Sequence, residues 1–152
     1  MDKDLQAFLD VVDDLLDYVM EDDVKAAAVK ELQSKIQTEV YDKYTPRVYN
    51  RKKDYHGLQD PRDYPVGSME YHYDSRIKLL TIEDVRPDWE PTSRKHEWRN
   101  VAEVVESGDG YDYKDLPPRP FHKKAEEALI KSGEVDRILT QAMETNLGAW
   151  SL

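Results

Sequence analysis

The sequence predicts an α+β domain: N-terminal helices and a C-terminal helix packed on a small antiparallel sheet, with long loops between. Three observations carry this expectation. Apolar residues recur at helical spacing near both ends of the chain. A β-branched and apolar run, Ile77 to Val85, lies between them. Proline and glycine clusters separate these stretches. The 152 residues suffice for one domain with one core and fall short of two. The expected division is an acidic amphipathic helix over 1–22, one α+β domain over 23–148 and a tail over 149–152.

The first helix is read from Leu5, Phe8, Leu9, Val12, Leu15, Leu16 and Val19, which form one apolar stripe. Asp10, Asp13, Asp14 and Asp17 lie on the other face. The plain reading is a solvated face; the sharper one is a surface turned to a basic partner or neighbouring subunit. Glu21, Asp22 and Asp23 interrupt the pattern, and Asp22 or Asp23 is suited to cap a second helix. From Val24 the residues favour helix, and Ala28, Leu32, Ile36 and Val40 repeat every four positions. The two helices are either separate or fused with a bend.

Pro46 ends the second helix near Tyr44, because a residue before proline avoids the helical region. Residues 47–68, punctuated by Gly57, Pro61, Pro65 and Gly67, read as a long loop. Strands are expected at Met69–Tyr73 and Ile77–Val85, closed by Pro87 and Pro91. Residues 88–100 read as loop. Val101 to Val105 is a short apolar run of ambiguous period, ended by a turn at Ser107 to Gly110. Pro117, Pro118 and Pro120 precede a last helix from Phe121 to Asn146. Ala125, Leu129, Val135, Ile138, Leu139 and Ala142 supply its buried face, and Gly133 is a candidate break.

Composition excludes several functions. There is no cysteine, hence no disulfide, thiolate metal site or cysteine nucleophile. No apolar run approaches the roughly 20 residues that span a bilayer. The acidic N-terminus does not resemble a signal peptide, so a cytoplasmic site of synthesis and assembly is expected. Of the formal charge of −10, residues 1–23 hold −8, as nine acids against one lysine. The remainder is nearly neutral, which disfavours binding to nucleic acid phosphates. A DNA mimic would spread its acids along a surface, whereas these sit on one helix. Ten tyrosines against two phenylalanines suit half-wet interfaces, and equally suit strands.

Patterns of chemistry are missing. His56, His72, His96 and His122 fall in no metal-binding spacing. No serine lies in a nucleophile elbow, and no glycine-rich loop opens a helix. Pro117 and Pro120 match a minimal polyproline core, more simply a rigid approach to the last helix. No cofactor, no metal and no catalytic activity are expected.

Two places resemble a known group. Tyr41-x-x-Tyr44-x-Pro46-x-x-Tyr49-x-Arg51 follows a long helix and precedes a Gly-Leu-x-Asp-Pro loop, Gly57 to Pro61. Further on come Val104-Val105-Glu106-x-Gly108 and then Pro118-Arg119-Pro120-Phe121, leading into a helix. In order and spacing these are similar to the head–tail joining (neck) proteins of long-tailed bacteriophages, in the tail-completion and tail-terminator class. The resemblance covers about residues 24–146 and leaves the acidic first helix outside. It implies a structural subunit of the virion, assembled in the host cytoplasm. Such a subunit forms a homo-oligomeric ring, often sixfold, between the portal side and the tail tube. Its partners would be other neck and tail-tube proteins, with DNA as passing cargo and no membrane. Head-to-tail ring contacts need two different faces. Tyr44, Tyr49, Arg51, Trp89, Trp98, Arg119 and Phe121 are the expected interface residues. The alternatives are a minor tail or baseplate protein, or a small acidic protein-binding module.

Overall fold

A computed structural model describes residues 3–43, 58–72, 77–85, 101–108 and 117–148. Helix α1 (Lys3–Val19) and helix α2 (Lys25–Lys35) are parts of one helical rod. A π-helical turn, Met20–Val24, joins them, and a second, Ile36–Tyr41, ends the rod. Val24 and Lys25 both keep right-handed helical angles. The chain therefore does not stop at Glu21–Asp23. No helix starts there, so no free N–H groups await Asp22 or Asp23, and the expected cap is not formed.

The second π turn has a cause visible in the sequence. An α-helix has about 3.6 residues per turn, so a strict four-residue repeat drifts around it. The wider π turn takes up that drift. Leu32, Ile36 and Val40 consequently all face the core, with Ile36 wholly enclosed.

The last helix is split at Gly133 into α4 (Phe121–Ser132) and α5 (Glu134–Leu147). Gly133 has φ +64°, a left-handed conformation that a residue without Cβ adopts at little cost. Helix α4 packs along α2, and α5 along α1 and the first π turn. Lys124 reaches Glu39, while Glu134 feels the charge of Lys30, so the two rods run antiparallel.

Strands β1 (Val66–His72) and β2 (Ile77–Ile82) pair antiparallel, with Met69 opposite Leu80 and His72 opposite Ile77. The ladder has an irregularity between Val66 and Ser68, at Gly67. The α+β expectation holds, with a two-stranded sheet among the described residues. Strand β1 begins at Val66, so the predicted loop ends earlier than 68. The ambiguous run is a short helix, α3 (Val101–Ser107), ended by Gly108 at φ +75°.

The core lies between α2, α3, α4 and the segment 58–64. Val29, Leu32, Ile36, Val40, Leu58, Tyr64, Ala102, Phe121 and Ala125 form it, with Tyr41, Ile82 and Val105 packed against it. Residues 58–65 are thus no solvated loop. The Tyr64 hydroxyl donates to the Leu58 carbonyl at 2.8 Å inside the core. Gln33 Nε2 donates to the Gln59 carbonyl and Gln59 Nε2 to the Gln33 carbonyl, both at 2.8 Å. Buried Asp60 caps the 3₁₀ turn Pro61–Asp63, accepting from the Arg62 N–H at 3.0 Å and from its guanidinium at 2.6 Å. These bonds satisfy polar groups that burial would otherwise leave unpaired.

Candidate functional site

The expected interface residues fall into two groups. Tyr44, Tyr49, Arg51, Trp89 and Trp98 lie outside the described residues. Arg119 and Phe121 are close together at the start of α4. The Arg119 N–H donates to the carbonyls of Val105 and Glu106, closing the end of α3. Phe121 is 0% exposed, so its own chain encloses it and it holds α4 on α2 instead of offering a contact surface. Proline before it and helix after it fix its direction, which aims the ring inward.

Glu106 completes this junction from α3. Its Oε2 accepts from the His122 N–H at 3.1 Å and meets His122 Nδ1 at 3.0 Å. A carboxylate thus stands at the N-terminus of α4, where the helix dipole and free N–H groups favour it. A shallow cleft of about 440 Å³ lies alongside, lined by Asp84, Ala102, Glu103, Glu106, Ser107 and His122. No group of three His, Cys, Asp or Glu among the described residues is placed to hold a metal ion.

A second feature joins the acidic helix to the hairpin. Lys78 on β2 places its ammonium between Asp13, at 2.7 Å, and Asp17. Asp13 and Asp17 are four residues apart and so share a face of α1. The Lys78 side chain is only 13% exposed. Burial works to lower its pKa, but the hydrogen bonds and charges of the two aspartates outweigh it and hold the pKa above the ordinary lysine value. Part of the acidic face therefore serves the fold itself. One lysine within an apolar strand was the available signal; its partners, 65 residues away, could not be read from spacing.

The third feature is the arm formed by α1 and α5. Both helices are amphipathic, yet their apolar faces are poorly covered. Val19 is the one α1 residue that is fully buried, and α5 has none. Leu5, Leu9, Val11 and Tyr18 are between 42% and 64% exposed. Two helices side by side cover only part of each other's apolar stripe, and the described contact from β2, through Lys78, is to the acidic face of α1. Asp14 lies three residues after Val11 and four before Tyr18, and Glu21 three after Tyr18. The exposed apolar edge is thus bordered by acids. No described helix is long and apolar enough to cross a membrane.

Fold and site together define a small α+β protein with a well-sealed core at one end and an acidic, half-covered helical arm at the other. The chain belongs to the YomN family, a phage-derived family of SPbeta type, whose profile matches residues 3–146. No curated protein and no solved structure matches it significantly. The match includes α1, so the acidic helix is part of the family's domain. The protein is phage-associated.

Proposed function

We propose that the chain is a non-catalytic structural subunit of a phage virion, forming a ring in the neck that joins the head/portal side to the tail tube. The observation that carries the assembly reading is the arm: two amphipathic helices that bury a single residue fully between them. Apolar stripes left open on an otherwise polar protein are surfaces for other protein. The phage-derived family supports the setting, and the Tyr41–Arg51 and Pro118–Phe121 motifs support the neck. The proposed partners are other copies of this chain in the ring, met through faces other than the open edge of the arm, and the neighbouring neck and tail-tube proteins. An acidic lumen would repel DNA during its passage.

Negative-stain microscopy of the purified chain, alone and mixed with the tail-tube protein of the same phage, tests this. Rings, in either condition, are expected. A monomer in every mixture, or a turnover abolished by His122→Ala, contradicts it. The charge concentrated on α1 favours one other reading, an acidic module that binds a single basic protein. A stable one-to-one complex without rings would support that instead.

A further inference from the structure

We infer that the open apolar edge of the α1–α5 arm docks a basic amphipathic helix of a different protein. The inference does not depend on which part of the particle the chain occupies, since it rests on the surface alone. The edge is apolar at Val11 and Tyr18, with Leu5 and Leu9 on the other flank of the stripe, all substantially exposed. Val11 and Tyr18 are seven residues apart and share one side of α1, so a second helix laid along that side would meet both.

The border residues choose the occupant. Asp14 and Glu21 are exposed and lie where side chains flank a helix–helix seam. Another copy laid against the same edge would bring acid against acid, on segments that each carry −8 over residues 1–23. A lipid surface is disfavoured as well, because interfacial helices carry basic polar faces and meet anionic lipid. Nucleic acid is repelled by the same charge. A protein helix with Lys or Arg beside its apolar stripe gains from both halves of the edge. Asp13 and Asp17 do not compete for it, since Lys78 already engages them.

The test uses the full chain and two labelled synthetic helical peptides of α1's length, 17 residues. Both have a leucine stripe; one is flanked by lysines, the other by glutamates. Fluorescence anisotropy is expected to show binding of the lysine peptide at least about tenfold tighter than the glutamate peptide, weakening with salt. Val11→Asp combined with Tyr18→Asp is expected to weaken it at least about tenfold. Because both side chains are substantially exposed, thermal midpoint and helical circular dichroism should shift only slightly, from the added like charges on α1, which separates lost docking from lost folding. Asp14→Lys with Glu21→Lys is expected to reverse the preference toward the glutamate peptide. Equal binding of the two peptides, or none, overturns the inference. So does self-association of the wild-type chain that Val11→Asp/Tyr18→Asp abolishes, because the edge would then belong to a second copy. Ring formation in microscopy is a separate readout, so failure here and failure of the neck assignment are distinguishable.

Discussion

The two ends of the same antiparallel rods behave differently. Around α2 and α4, Val29, Leu32, Ile36, Val40, Phe121 and Ala125 are all sealed from solvent. Around α1 and α5 the stripe is as regular, yet Leu5, Leu9 and Val11 stay substantially exposed. The difference is the third layer. Segment 58–64 and α3 close over α2 and α4, whereas among the described residues α1 and α5 have no such cover beyond the Lys78 contact from β2. Periodicity identifies the face a helix turns inward; it does not identify what lies on the other side. The uncovered face is the surface proposed above for a partner.

The largest effect should come from the sealed end. Ile36→Ala or Phe121→Ala should destabilise by about 3–5 kcal/mol, because each leaves a cavity the neighbours cannot fill. The thermal midpoint should fall by about 10 °C. Next is Tyr64→Phe, which deprives the buried Leu58 carbonyl of its 2.8 Å donor. A loss of about 1–2 kcal/mol in urea unfolding is expected.

Intermediate effects belong to the ion pairs that fasten the parts together. Lys78→Met should destabilise by about 1 kcal/mol, an amount limited by the exposure of its two aspartates. Because the Lys78 pKa is raised, its contribution is full below the ordinary value of 10.5 and is lost as pH rises above it. Glu39 behaves oppositely. Hydrogen bonds from Lys124 and Lys43 hold its carboxyl below the ordinary 4.5. Its contribution is full above that value and disappears as pH falls through the folded-state pKa. Unfolding midpoints across pH, for wild type and for Lys78→Met and Glu39→Gln, should separate the alkaline and acid losses.

The smallest effect should come from the arm. Leu9→Ala and Val11→Ala should change stability by about 0.5 kcal/mol or less. A loss there equal to that of Ile36→Ala would erase the contrast between the two ends.

Much of this contrast could be read in the chain. The four-residue repeat Leu32, Ile36, Val40 gave the core stripe, and Gly133 the break between α4 and α5. The β-branched run gave β2. Other parts depend on contacts distant in sequence. Leu58 and Tyr64 sit among prolines and glycines that signal loop, and only the partners of their polar groups make them core. Phe121 belongs to a motif that resembles an interface, but the approach through Pro120 turns it inward. The π turns follow from a conflict between repeat and helix period that becomes plain once both rods are seen. Of the candidate site, the apolar stripe and the acids were visible in the sequence. That α5 leaves the edge open was not, since coverage depends on how many elements pack together.

Hydrogen exchange, measured on the free chain and on the chain within purified phage particles, distinguishes an arm that is covered on assembly from one that stays open. The α1 and α5 amides should exchange faster than those of α2 and α4 in the free chain, and become strongly protected in the particle. Unchanged exchange across the arm in the particle, with new protection confined to the sealed end, would contradict it.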